Sequence, residues 1–268
     1  MEFLIVLGIA LVISAIGFYK YVYFISLGYG FSVAGIGVYL FILNVMAGKP
    51  FGSGLAVTIA SLLFVMYGCR LGGYLLVREM KSLSYRDTMK KEIKDGKDMK
   101  FIAKFFIWIS CAFLYALQTS PVLFRCKFEK GTDVVSIIGV VLMLGGILFE
   151  STADMQKSIA KAQNPNRFCD SGLYRIVRCP NYLGEIIFWT GVFVTGITAY
   201  NGVLQWIAAI TGYVCIVYIM FGGARRLEIR QNRNYGTDEE YQAYVKTTPI
   251  LIPFVPLYSV EKYKFLIG

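Results

Sequence analysis

Histidine is missing from this chain altogether. That removes imidazole as a general base near neutral pH, as a metal ligand and as an axial ligand to haem. Cysteine occurs six times (Cys69, Cys111, Cys126, Cys169, Cys179, Cys215) but never in a CxxC spacing. Most of these fall in apolar runs or in cytoplasm-facing segments, so they read as free thiols, and no metal site is expected. Charge is thin too: Asp, Glu, Lys and Arg make up 16% of the residues, against about 25% in a soluble domain. No internal repeat, low-complexity linker or second domain is evident, so residues 1–268 are read as a single integral membrane domain.

What the chain has instead is apolar length. It is 56% hydrophobic, with a mean hydropathy of +0.58. Seven runs approach or exceed what an α-helix needs to cross about 30 Å of hydrocarbon. They are Phe3–Tyr19, Tyr21–Ala47, Phe51–Cys69, Phe101–Phe124, Val134–Phe149, Ile186–Tyr200 and Val203–Ala224. The fold class is therefore all-α and polytopic, with about seven spans. The first run lacks a basic leader and carries Glu2 instead, so it is read as a span and not a signal peptide.

The net charge of +10 is unevenly placed. Arg70 to Lys104 holds ten basic and five acidic residues, and Thr152–Pro180 holds five against two. With seven spans, these segments and the basic tail share a side, which the positive-inside rule makes cytoplasmic. No nucleic-acid motif accompanies the excess, so anionic membrane lipid and a phosphate-bearing ligand are the expected partners.

Three stretches carry polar residues where a membrane protein can least accommodate them. Around Leu173–Trp189, Arg175 and Arg178 lead into Cys179-Pro180, then Asn181, Tyr182 and Glu185, after which Ile186 to Tyr200 carries no charge. Pro180 suits the first turn of a helix, and Asn181 and Glu185, four apart, share its face. An ionisable group at a membrane boundary is a site candidate. In the third run, Tyr67, Arg70, Tyr74 and Arg78 fall within about 80° of one helix face. Tyr67 lies deeper than an interfacial belt, where a phenol needs a partner or a ligand. In the fifth, Glu150, Asp154, Lys157 and Lys161 fall within about 60° on a helix leaving the membrane. The mixed-charge Lys81–Lys100 loop reads as a solvated face, with Arg86 near enough to reach a phosphate. The glycines of Gly28–Gly37 follow no strand and read as helix packing, not as a phosphate loop.

These tokens resemble the steroid 5α-reductase superfamily, in its branch catalogued as a conserved domain of unknown function. FESTADMQK (Phe149–Lys157), GLYRIVRCPNYLGE (Gly172–Glu185) and EEYQAYVKTTPILIPF (Glu239–Phe254) carry the resemblance, which covers about residues 67–254. It implies seven helices whose cytoplasmic loops close over NADPH, and a lipophilic enone entering from the membrane. It implies that Glu150, Asp154, Lys157, Lys161, Arg175, Arg178, Asn181, Tyr182 and Glu185 hold the cofactor. Asn181 and Glu185 would lie near the nicotinamide, and Arg70, Tyr74, Arg78, Arg225 and Arg226 along the phosphates and adenosine. Tyr67 would bond the substrate carbonyl while hydride goes to the β-carbon. The host membrane would be a bacterial inner membrane or the endoplasmic reticulum.

The chain departs from that pattern in three places. Cys179 stands where the family has histidine, no Gln-Glu pair occurs in the second run, and a later histidine is replaced near Arg225–Glu228. An S-adenosylmethionine-dependent membrane methyltransferase, whose family shares a similar turn and tail, is the alternative enzyme. A non-catalytic membrane scaffold is the third reading.

Overall fold

The computed structural model describes residues 1–81, 99–128 and 130–266, without the side chains of 78–81. Arg78's side chain, Arg86 and most of the Lys81–Lys100 loop therefore lie outside the described residues. Among those described there is helix and no strand. In chain order the α-helices are α1 (Glu2–Ser14), α2 (Leu27–Met46), α3 (Leu55–Lys81), α4 (Phe101–Lys127), α5 (Val134–Gln163), α6 (Pro180–Gly196), α7 (Val203–Tyr235) and α8 (Glu239–Thr247).

Among the described residues six helical segments are long and apolar enough to span a membrane, where about seven were expected. The run Phe3–Tyr19 is the one that falls short. Its α-helix ends at Ser14 and tightens into a 3-10 turn over Ala15–Phe18, which Phe24 closes down on. A β-carbon on Gly17 would sit 2.0 Å from the Phe24 ring, so only glycine lets the chain double back there.

The outward faces fit a lipid environment. On α5, Ile137, Val141, Leu144 and Leu148 are exposed, while Met143, Ile147, Glu150 and Ala153 are buried. That spacing of three and four is one helix face turned in and the other turned out. Glu150 continues the inward stripe.

The chain divides into two compact units. The first comprises Met1–Val140 and Val192–Gly212. Within it α1 lies along α4: the Trp108 indole N–H donates to Leu11 O at 2.9 Å, and Phe18 stacks on Phe101. Helices α2 and α3 touch backbone to backbone, because a β-carbon on Gly30 would meet Gly68 O at 2.9 Å. The glycines of Gly28–Gly37 thus serve packing, as their spacing suggested.

Arg125, fully buried, closes one end of this unit. Its Nε donates to Thr195 O at 2.6 Å, and its two Nη atoms reach Gly131 O, Asp133 and Thr198. Asp133 also caps α5, accepting the Ser136 N–H at 2.8 Å. Burial pushes the Asp133 carboxyl up, but hydrogen bonds from Thr198, Ser136 and Arg125 outweigh it and hold the pKa at about 2. A carboxyl held below its ordinary value of about 3.9 stabilises fully above that pH and loses the effect as pH falls toward 2. Asp133→Asn is therefore expected to lower the melting temperature near pH 7, with the gap from the parent narrowing near pH 3. A gap independent of pH would show that the carboxylate charge contributes nothing.

The second unit comprises Val141–Gly191 and Tyr213–Gly268. Its core joins Val177, Cys179 and Leu183 to Ala224 and Leu227 of α7 and to Ile250, Leu251 and Val260 of the tail. The tail carrying Pro249 and Pro253 thus lies back on the helices. Backbone bonds fasten it: Arg178 N–H donates to Pro249 O at 2.9 Å and Cys179 N–H to Ile250 O at 3.0 Å.

Candidate functional site

In the second unit, α5 and α6 cross at two glycines. A β-carbon on Gly184 would stand 2.7 Å from Glu150 N, and one on Gly146 would stand 2.5 Å from Phe188 N. With no side chain between them the helices close up, and Glu150 and Glu185 are both buried, at 4% and 6% exposure. Burying a carboxylate costs several kcal/mol unless something compensates. Pro180 opens α6 as its sequence position required, and Asn181, Tyr182 and Glu185 occupy its first two turns. The buried Oδ1 of Asn181 has no hydrogen-bond partner among the described residues. The Tyr182 hydroxyl is in electrostatic reach of Glu185, Arg226 and Arg230, so α7 contributes two cations to the same neighbourhood.

Below the crossing, the exit face of α5 meets the turn that precedes α6. Gln156 Oε1 accepts the Leu173 N–H at 2.8 Å, Asp154 acts electrostatically on Tyr174, and Lys157 acts on Cys179. Burial raises the Cys179 thiol to about 12, which keeps it protonated and unreactive. The residue standing where the resembled family has histidine is therefore an inert core thiol. Burial likewise raises the Tyr244 phenol, which donates to Tyr174 O at 2.7 Å.

Other expected ligands are occupied with holding the fold. Arg178 is 1% exposed and pairs with Glu228 at 2.8 Å, its Nη2 also reaching Tyr258 O. Lys161 places its ammonium against Pro165 O, Arg167 O and the Tyr235 hydroxyl, at 3.0, 2.6 and 2.7 Å. Those three acceptors use all of its donors. Arg225 donates through Nε to Glu261 O at 2.9 Å. Arg175 and Arg226 are exposed. The cationic set open to a phosphate is thus smaller than the sequence stripe implied.

In the first unit, Tyr67 is fully buried on the inward stripe Val57, Ala60, Phe64, Tyr67 of α3. Its hydroxyl lies 3.0 Å from that of Tyr29. Arg70 is half-buried and Tyr74 is 38% exposed, so the stripe climbs from the interior to the surface along α3. Two buried residues escaped the sequence reading. Tyr115 donates to Phe24 O at 2.6 Å. Gln118, 3% exposed, has neither amide atom hydrogen-bonded among the described residues. Their three-residue spacing in an apolar run is the signal that could have found them. Among the described residues no group of His, Cys, Asp or Glu could hold a metal.

Fold and polar interior together define a multi-pass helical membrane protein with ionisable groups buried at helix crossings. Residues 25–248 match the family described as "Protein of unknown function (DUF1295)", and the chain belongs to it. No curated protein and no solved structure matches the chain.

Proposed function

We propose that the chain is a membrane-embedded, NADPH-dependent reductase of a conjugated C=C bond. The substrate class is a 3-oxo-Δ4-steroid or a related lipid enone. The observation that carries the reading is the α5–α6 crossing, which buries the Glu150 and Glu185 carboxylates, while the amide oxygen of Asn181, one turn before Glu185, has no hydrogen-bond partner among the described residues.

The second unit's residues fit the nucleotide chemically. The Asn181 and Glu185 oxygens would accept the N–H bonds of a carboxamide, while Arg226 and Arg230 would offer forked donors suited to phosphate oxygens. Bound there, NADPH would supply a hydride to the enone β-carbon. In the first unit, Tyr67 is the proposed donor to the carbonyl oxygen on which negative charge develops, where a phenol in a water-poor interior acts strongly. The same reading puts the nucleotide side in the cytoplasm, because the loops around Arg70–Lys104 and Thr152–Pro180 are the most basic.

The same two carboxylates favour a second reading. S-adenosylmethionine carries an ammonium and a sulfonium, which buried acids also suit, so a membrane methyltransferase is the competing proposal. Titrating both compounds against the detergent-purified chain separates them. The expected result is saturable NADPH binding that Asn181→Ala and Glu185→Ala each weaken by about 10- to 100-fold. Binding of S-adenosylmethionine alone supports the methyltransferase. Binding of neither overturns both.

A further inference from the structure

We propose that Tyr29 is a positioning residue for Tyr67: it fixes the Tyr67 phenol and hydrogen-bonds the oxygen left when that phenol gives up its proton. The inference rests on the reductase reading and names a residue to which that reading assigns no role.

The local geometry accounts for the pairing. Tyr29 stands in the first turn of α2, next to Gly30, and Tyr67 precedes Gly68 on α3. The bare backbones at Gly30 and Gly68 let the helices touch, which brings the two hydroxyls to 3.0 Å. The rings meet edge to face, with centroids 6.2 Å apart and an interplanar angle of 76°. On its other side Tyr29 lies against Tyr115, at 5.1 Å between centroids, and the Tyr115 hydroxyl is anchored on Phe24 O. Tyr29 is 7% exposed and Tyr67 fully buried. A phenol held this way by a neighbouring ring and a second hydroxyl loses little further freedom when it acts.

The chemistry follows with its atoms balanced. A bound NADPH would supply the hydride to the β-carbon, with the C=C pair moving into the bond between the α-carbon and the carbonyl carbon and the C=O pair moving onto oxygen. The Tyr67 proton would pass to that oxygen, giving an enol that tautomerises to the saturated ketone, and the phenolate left behind would be reprotonated from water. Tyr29 loses no proton. Its O–H donates to the Tyr67 phenolate, replacing the solvent that a buried anion lacks. Removing one hydrogen bond to a charged oxygen is expected to slow the step about 10- to 100-fold.

Two measurements test this. In the first, 3-fluorotyrosine is placed at position 67 of the full chain and followed by fluorine NMR without cofactor. Tyr29→Phe, which keeps the ring, is expected to shift that resonance, and an unmoved resonance overturns the pairing. In the second, a kinetic cycle compares the parent, Tyr29→Phe, Tyr67→Phe and the double variant with NADPH and lipid enones. Tyr29→Phe is expected to lower kcat with KM for both substrates unchanged, and to have no further effect once Tyr67 is Phe. An equal loss in both backgrounds, or none in either, overturns the proposal while leaving the reductase reading standing. A parent chain without turnover sinks the reductase reading, and this proposal with it.

Discussion

Glu228→Ala is expected to be the most damaging single substitution, costing about 3–5 kcal/mol of stability. The side chains of Arg178 and Glu228 are 0% and 1% exposed, and the carboxylate serves two partners. One oxygen takes the Arg178 guanidinium at 2.8 Å, and the other takes the Val260 N–H at 2.8 Å. Truncation leaves a buried cation and a buried amide uncompensated at once. The segment that opens α6 and the returning tail would lose their common anchor. Thermal unfolding in detergent should fall by on the order of 10 °C. Replacing both partners by apolar side chains, as in Arg178→Met with Glu228→Leu, should recover most of that loss, because no charge then remains to be solvated. A single variant that melts with the parent would show that the pair does not hold this unit together.

Tyr67→Phe is expected to have the largest effect on turnover, lowering kcat by about 10²- to 10³-fold, the usual loss for one oxyanion donor. The ring and its packing on α3 stay, so the folded state should lose only about 1 kcal/mol, from the hydroxyl contact with Tyr29. Activity and stability therefore separate in this variant, whereas in Glu228→Ala they fall together. Full turnover by Tyr67→Phe would remove the phenol from the chemistry.

Much of this architecture can be read from local pattern. The apolar runs locate the spanning helices because length and hydropathy are properties of contiguous residues. The placement of Glu150 follows from the three-and-four spacing of Met143, Ile147 and Ala153, and Pro180 marks the start of α6 by its own geometry. Distant partners are what local pattern does not carry. Arg178 looks like a phosphate ligand until Glu228, fifty residues on, claims it. Lys161 belongs to a polar stripe until Tyr235 and two carbonyls use its donors. Tyr29 is unremarkable until two glycines bring its helix against α3. The first run counts as a span by length, yet its end is set by Phe24 folding onto Gly17, a contact that hydropathy does not register.

The central claim is transfer of a hydride to a lipid, and isotope transfer tests it most directly. NADPH deuterated at the transferable position is incubated with the purified chain and a panel of lipid enones, and the products are analysed by mass spectrometry. The account predicts a saturated product with one deuterium at the former β-carbon, formed by the parent and nearly absent with Tyr67→Phe. Unchanged enones, or a lipid that instead gains a methyl group when S-adenosylmethionine is supplied, would contradict it.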